Sequence, residues 1–147
     1  MLNWFVNIHK SAFGREPDRV EPVRAHASER QIYRLWSEDR SYICIQDPKQ
    51  NEFQAFIDFT KYFFSKGLPV PEIFFEDPKT NAVITSDLGD KTLLDILLSS
   101  RTANDEFPTN VEQLYSKAIQ LLPKFQNVSK DFPWKSATIL KFDETRM

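Results

Sequence analysis

The hydrophobic positions of the chain follow a helical spacing in some segments and a strict alternation in others. In residues 2–13 the apolar side chains share one helical face, and Gly14 is placed to end that helix. Residues 51–66 repeat the helical spacing with a row of phenylalanines, and Gly67 follows them. We therefore predict two amphipathic helices in the first half of the chain, each packed against another element.

Shorter segments that are rich in β-branched and aromatic residues predict strands. Residues 31–36 and 41–46 are joined by a short polar link, and we predict that they pair as an antiparallel hairpin. Residues 72–85 predict a second hairpin, whose turn is Asp77–Asn81. A further strand is predicted around Val20–Ala25, at the edge of the sheet because it contains a proline.

The last third of the sequence predicts an acidic turn and two more helices. Residues 87–90 form the turn, and a leucine-rich segment follows. Thr92 and Asp95 have the spacing of a capping box, in which Thr92 caps the helix and Asp95 reaches back to its start. Another helix is predicted from Thr109, and Pro123 is expected to end or kink it. The order of elements predicts an α+β fold with an antiparallel sheet.

Composition narrows the class of protein. The 147 residues are 41% hydrophobic and 27% charged, which suits one globular domain with a core. The net charge of −2 argues against nucleic-acid binding through bulk electrostatics. The single cysteine, Cys44, is expected in the core and fits a reducing compartment. No apolar run is long enough to cross a bilayer and no signal peptide is visible, so we expect a cytoplasmic protein that does not bind membranes.

Two neighbouring motifs give the sequence a family resemblance. They are "GLPVPEIFFED" and "TSDLGDKTLLDIL", and "ASERQIYRLW" and "SYICIQDP" precede them in the chain. Together these segments resemble the aminoglycoside phosphotransferase and choline kinase superfamily, which has the protein-kinase-like fold. Within that superfamily the sequence is most similar to bacterial kinases that phosphorylate the anomeric position of N-acetylmuramate and N-acetylglucosamine. The resemblance is clearest between Ala25 and Leu98.

The resemblance implies part of a two-lobed kinase. Residues 1–86 would form the N-terminal lobe, a small lobe with an antiparallel sheet and a packing helix. Residues 87–147 would hold the hinge and the first helices of a truncated C-terminal lobe. Because the family binds ATP with Mg²⁺ and places adenine against the hinge backbone, the resemblance puts Ser86, Asp87 and Leu88 beside the nucleotide.

The loop before the first hairpin is the place that the resemblance implies for the phosphates. Ser28 would bind phosphate oxygens and Arg30 would neutralise their charge, with Arg34 as a further candidate because a guanidinium suits phosphate geometry. An ordinary turn with solvated charges stays an open alternative, since the loop contains no glycine. Glu52 also has two interpretations, a carboxylate that orients a phosphate-binding lysine or one that only favours the helix dipole.

The catalytic motif of the family does not occur in the sequence. Catalysis there needs an H-x-D loop and a later metal-binding Asp, and neither histidine of the chain begins an H-x-D triplet. We therefore expect the ATP-binding half of a small-molecule phosphotransferase, whose complete form acts on an amino sugar with ATP and Mg²⁺. The alternative is a non-enzymatic interaction module, which binds a protein partner or self-associates through apolar surface around Leu93, Leu97, Ile139 and Leu140.

Overall fold

The computed structural model describes residues 4–23, 29–100 and 108–133. The chain divides into two compact units: the first contains the described residues up to Asp87, and the second is Leu88–Phe132. The elements of the first unit are α1 (Trp4–Phe13), β1 (Arg19–Val23), β2 (Gln31–Ser37), β3 (Arg40–Gln46), α2 (Gln50–Ser65), β4 (Ile73–Asp77) and β5 (Ala82–Ser86). Those of the second unit are α3 (Leu93–Ser100) and α4 (Thr109–Ser129).

The five strands form one antiparallel sheet in the order β1-β2-β3-β5-β4. The predicted hairpin is confirmed, since Gln31 lies opposite Gln46 and Trp36 lies opposite Ser41. The second hairpin is also confirmed, with β4 paired to β5. In β1, the proline that favoured an edge is Pro22, and the strand does lie at the edge of the sheet. The fold is therefore α+β, as predicted, and is consistent with the small lobe of a kinase.

Each face of the sheet is covered by a helix. On one face, Phe5 and Ile8 of α1 pack in a cluster with Leu35, Cys44 and Ile84. Because side chains alternate along a strand, their neighbours point to the opposite face. There Phe53 and Ile57 of α2 pack with Val83, with Ile45 and Ile73 beside them. The two predicted amphipathic helices thus lie on opposite sides of the same sheet.

Two expectations about individual residues need correction. Of the two outcomes expected at Pro123, an end or a kink, the end is wrong, because helix α4 continues to Ser129. Its half-buried stripe includes Leu121 and Phe125, so the apolar face runs past the proline, and its packing outweighs the hydrogen bond that proline lacks. Phe64, part of the predicted phenylalanine row of α2, is exposed because it stands off the face that packs on the sheet.

The exposed leucines of α3 are also different from those expected. Leu93 and Leu97 are half-buried, whereas Leu94 and Leu98 are 57% and 59% exposed. Residues four apart share a helix face, so Leu93 and Leu97 lie together on the half-buried face and Leu94 and Leu98 on the exposed one. The other two residues named for a docking surface, Ile139 and Leu140, lie outside the described residues.

The capping box at the start of α3 is confirmed. The N–H of Thr92 donates to Asp95 Oδ2 at 2.8 Å, and the N–H of Asp95 donates to Thr92 Oγ1 at 3.1 Å. The Thr92 hydroxyl also donates to Asp95 Oδ2, at 2.6 Å. These hydrogen bonds hold the pKa of the Asp95 carboxyl below its usual value of 3.8, and the Thr92 side chain is the largest cause.

We expect this cap to weaken in acid. Because the folded state has the lower pKa, the cap contributes fully above about pH 4 and is lost as the pH falls through the lowered value of Asp95. An NMR pH titration of the Asp95 carboxyl carbon should give a lower midpoint in the wild type than in Thr92→Val, which lacks the hydroxyl. Equal midpoints would show that the side-chain hydrogen bond does not form.

The core position of Leu35 gives a prediction about stability. Its side chain is fully buried between α1 and the sheet. Leu35→Ala should lower the free energy of unfolding by about 2–5 kcal/mol, because it removes apolar contacts and leaves a cavity. Leu94→Ala, on the exposed side of α3, should change it by no more than about 0.5 kcal/mol. Urea denaturation of both variants checks the difference, and similar losses would contradict the assigned core.

Candidate functional site

Of the two arginines proposed as phosphate ligands, Arg30 directly precedes β2 and Arg34 lies in its middle. Arg34 lies opposite Ile43 of β3, which in turn lies opposite Thr85 of β5. Residues that face each other in antiparallel strands point to the same side of the sheet. Arg34 therefore lies on the face that α2 partly covers, in a row with side chains of the two neighbouring strands.

The guanidinium of Arg34 is bound by a carboxylate from another strand end. Its Nε–H donates to Asp87 Oδ2 at 2.5 Å, and its Nη2 donates to Asp87 Oδ1 at 3.1 Å. Both side chains are nearly buried, with 12% of Arg34 and 7% of Asp87 exposed. This two-pronged geometry is the strongest form of a charge-assisted hydrogen bond. It connects β2 with the residue that follows β5.

Arg30 has a similar partner at the opposite end of the sheet. Its Nε–H donates to Asp47 Oδ2 at 2.6 Å, and its guanidinium lies 5.8 Å from the ring centre of Phe56. Asp47 is itself fixed, since its Oδ1 accepts from the Lys49 N–H at 2.9 Å and its own N–H donates to the carbonyl of Asn81 at 3.0 Å. Only 4% of the Asp47 side chain is exposed. The acidic residue after β3 thus fixes the arginine that precedes β2.

Asp47 was not predicted as a site residue, although the sequence contains a pattern that indicates its turn. Asp47 begins an Asp-Pro-Lys triplet, and Asp77 begins a second one. In both turns the aspartate accepts from the lysine N–H, at 2.9 Å for Lys49 and 3.0 Å for Lys79. Such side chain-to-backbone turns are recognisable from sequence. The long-range pairing of Asp47 with Arg30 is not, because it depends on the register of β2 and β3.

The predicted adenine-binding segment begins with a serine whose N–H is already paired. The N–H of Ser86 donates to the carbonyl of Glu72 at 2.9 Å, and its Oγ accepts from the Glu72 N–H at 3.0 Å. The Ser86 N–H is therefore already used within the protein, and the Ser86 carbonyl is the backbone group of this residue that could bind adenine. The Ser86 carbonyl oxygen lies 3.4 Å from the Thr85 hydroxyl, a long and therefore weak contact.

Of the remaining predicted site residues, the structure describes Leu88 but not Ser28. Leu88 follows Asp87 directly and is 74% exposed. Gly89 comes next with φ +90°, a conformation that favours glycine. Ser28, and with it the centre of the predicted phosphate loop, lies outside the described residues. The structure therefore brings Arg34 and Asp87 together and leaves the role of Ser28 a prediction.

Between the two arginine–aspartate pairs the sheet face is apolar. Ile32 lies between Arg30 and Arg34 on the chain and, by alternation, on the same face as Arg34. On β3, Ile45 lies opposite Ile32 and Ile43 lies opposite Arg34, and the ring centre of Trp36 lies 5.8 Å from the Arg34 guanidinium. Four residues of extended chain separate the arginines by about 13 Å. The strip thus has apolar side chains in the middle and an arginine–aspartate ion pair at each end, and Arg30 is the more exposed of the two arginines.

Glu52 has a lysine partner, but that lysine, Lys49, lies at the start of the same helix and not on the sheet. Its carboxylate lies 3.2 Å from Lys49 Nζ, three residues earlier, and both side chains are well exposed. The hydrogen bond and charge of Glu52 raise the pKa of Lys49. Glu52 also lies in the first turn of α2, where a negative charge favours the helix dipole. The pair is a surface contact, and it does not connect α2 to the sheet.

Two further properties restrict the chemistry of the described residues. Within residues 4–23, 29–100 and 108–133, no group of three or more His, Cys, Asp or Glu side chains could hold a metal ion. Cys44 is fully buried, as predicted, and burial raises the pKa of its thiol, so it is not a nucleophile at neutral pH. None of the helices in these ranges combines the length and the apolar character that a membrane crossing requires.

Comparison with known proteins confirms the predicted resemblance. The chain is 29% identical over 113 residues to an N-acetylmuramate/N-acetylglucosamine kinase of Pseudomonas aeruginosa, which covers 76% of this chain and 31% of that protein. It is 27% identical over 128 residues to a protein of the same name from Pseudomonas putida, covering 86% and 35%. The chain thus spans about a third of the length of these curated relatives. No family model matches it.

The Arg34–Asp87 pair gives a prediction about folding energy. Removing one partner leaves a charge in a mostly buried place, so Asp87→Leu should lower the free energy of unfolding by about 3 kcal/mol. Adding Arg34→Met to that variant removes the second charge and should restore at least about 1 kcal/mol. Urea denaturation of both single variants and the double variant measures the coupling. Additive losses would show that the two side chains do not interact.

Proposed function

We propose that this chain is the nucleotide-binding part of a kinase that phosphorylates an amino sugar. The observation that carries the proposal is the face of the sheet where apolar side chains lie between Arg30 and Arg34, in a chain similar to two sugar kinases. On this proposal residues 1–86 are the N-terminal lobe of the kinase. Residues 87–147 are the hinge and the beginning of its second lobe.

The proposed ligand is ATP, with its base and its phosphates at different ends of β2. Adenine would bind the backbone of Ser86–Leu88, through the Ser86 carbonyl and the Leu88 N–H. The phosphates would extend towards Arg30 and Ser28. Arg30 supports this direction because its guanidinium is held in place by Asp47 and keeps about a third of its side chain exposed to solvent. The nearby Asp47 carboxylate weakens the net positive potential there, so we expect a modest phosphate affinity.

The proposed reaction is transfer of the γ-phosphoryl group to the anomeric hydroxyl of the sugar. The sugar oxygen bonds to phosphorus, the bond from phosphorus to the β–γ bridging oxygen breaks, and ADP leaves while the hydroxyl proton passes to a base. Mg²⁺ neutralises phosphate charge in such transfers. The described residues do not fit a Mg²⁺ site, and we assign no step to the ion here.

Nucleotide titration followed by NMR tests the proposal. The hinge backbone would offer two or three neutral hydrogen bonds of about 1 kcal/mol each, so we expect a Kd for ATP no better than about 1 mM. Shifts should cluster at residues 84–90 and 26–32. Ser86→Ala should change the affinity little, whereas Leu88→Pro should abolish binding because it removes an N–H. A folded sample without shifts at several millimolar ATP would overturn the proposal.

Incubation with ATP, Mg²⁺ and amino sugars tests the catalytic part of the proposal. We expect no sugar phosphate, because the H-x-D triplet that catalysis in the resembled family needs does not occur in this sequence. Product formation by the purified chain would show that the chemistry lies within it.

A different candidate function is a protein interaction module. It is favoured by the exposed apolar side chains of the second unit, which are Leu88, Leu94, Leu98, Ile119 and Leu122. Such surface on a domain marks an interface when it is continuous. Sedimentation of the purified chain separates the candidates, because a module that self-associates gives a mass that depends on concentration even without nucleotide.

The role of Arg30 can be tested separately from the base. If Arg30 meets the phosphates, Arg30→Ala should weaken ATP about fivefold and leave adenosine unchanged, since it removes one charge-assisted hydrogen bond. Arg40→Ala is the matched control, because Arg40 begins β3 at the other end of the same hairpin. Isothermal calorimetry or NMR titration with both ligands checks this. An equal loss for ATP and adenosine would assign Arg30 to folding alone.

A further inference from the structure

We propose that Arg34 is a positioning residue for the nucleotide base, and that it acts through Asp87. This inference rests on the proposed function, since it concerns how the Ser86–Leu88 backbone selects adenine. On this proposal, the Arg34–Asp87 ion pair determines which nucleotide base the site prefers. Neither side chain needs to touch the base itself.

Two peptide groups meet at the Asp87 α-carbon, and each carries one of the groups proposed to bind the base. The Ser86 carbonyl belongs to the peptide that precedes Asp87, and the Leu88 N–H belongs to the peptide that follows it. Peptide groups are planar, so their relative orientation is set by the two dihedral angles at Asp87. A constraint on the Asp87 side chain therefore acts at the atom where the two base-reading groups are joined.

The Arg34 guanidinium supplies such a constraint. It holds both Asp87 oxygens in a planar fork, which fixes the direction of the carboxylate as well as its distance. Arg34 stands on β2, with β3 between it and β5, so the side chain reaches across about 10 Å of sheet. A connection of this length ties Asp87 to the rigid centre of the sheet rather than to its own loop.

The segment is also fixed on its other side. Ser86 is bonded to Glu72 through both its N–H and its hydroxyl. These contacts fix the residue before Asp87, while Arg34 fixes Asp87 itself. Ser86, whose carbonyl would accept from the base, and Asp87, whose dihedral angles orient the next N–H, are thus both anchored to the sheet.

A fixed acceptor beside a fixed donor selects one arrangement of base edge. Adenine offers an amino donor next to a ring nitrogen that accepts, which complements this pattern. Hypoxanthine, the base of inosine, has a carbonyl in place of the amino group and an N–H in place of the ring acceptor. It therefore meets like groups at both positions, and a site with rigid peptide groups should reject it.

Adenosine and inosine are the probes for the test, because they lack phosphates and differ at that edge. We expect wild-type chain to bind adenosine more tightly than inosine. Asp87→Asn and Arg34→Lys each break the two-pronged pair, and the preference for adenosine should fall about fivefold, as expected for one misaligned hydrogen bond. The ratio of ATP to adenosine affinity should stay unchanged, since the phosphates are proposed to bind elsewhere.

Asp18→Asn is the matched control. Asp18 forms another ion pair with Arg15, whose Nη2 donates to both carboxylate oxygens at 2.7 and 2.9 Å, but that pair is exposed and holds no part of the Ser86–Leu88 segment. Its loss should leave the adenosine-to-inosine ratio as in the wild type. Thermal melts of every variant identify those that fold. If Asp87→Asn and Arg34→Lys both fail to fold, the double variant Arg34→Met/Asp87→Leu replaces the pair with apolar side chains, and it should show the same loss of preference.

The outcomes separate this inference from the proposed function. Wild-type chain that binds neither nucleoside overturns both. Wild-type chain that binds adenosine and inosine equally, or folded pair variants that keep the wild-type ratio, overturns the inference and leaves the proposed nucleotide site standing. A ratio that falls in the pair variants and not in Asp18→Asn supports a positioning role, since a purely structural role would lower the melting temperature without changing base preference.

Discussion

Burial of β5 on both faces is the constraint on which the rest of the first unit depends. Ala82, Val83, Ile84 and Thr85 are all buried, with Ile84 in the cluster under α1 and Val83 in the cluster under α2. A strand that is covered on both sides has no freedom to shift without exposing one of its faces. Asp87, the first residue after β5, consequently has a fixed position at the edge of the core.

Ionic contacts extend this rigidity to the polar ends of the sheet. A buried ion pair costs desolvation energy and is weak evidence for stability by itself. Here two arginines of the same chain segment each meet an aspartate that directly follows a strand, β3 in one case and β5 in the other. One pair thus closes the β2–β3 hairpin and the other joins β2 to the end of β5, 53 residues away, and both border the face on which we propose that a nucleotide binds.

The sequence predicted most of the fold because local patterns determine it. The hairpins, the helix ends at Gly14 and Gly67 and the capping box at Thr92 depend on residues close together in the chain, and all are confirmed. The path of α4 through Pro123 was not predicted, because the packing of a long apolar face outweighed a local rule.

The candidate site was less predictable for a physical reason. Arg30, Arg34 and Asp87 were named as candidates through a family resemblance, but neither ion pair was predicted, and Asp47 was not named at all. Arg34 and Asp87 are 53 residues apart, and their contact follows from strand order and register, which no local spacing encodes. The two Asp-Pro-Lys turns look alike in sequence, yet only the structure shows that Asp47 meets an arginine while Asp77 accepts from the Thr80 hydroxyl.

The placement of the two arginines has a consequence for how the chain finds its native pairing. A slip of β2 by two residues against β3 would preserve the alternation of apolar and polar faces, so burial alone barely opposes it. The same slip would carry Arg30 and Arg34 about 7 Å along the sheet, away from both aspartates. Mispaired hairpins would then hold four unmatched charges near the core. A register that the hydrophobic pattern tolerates would therefore lose both ion pairs, and this loss makes it less stable than the native register.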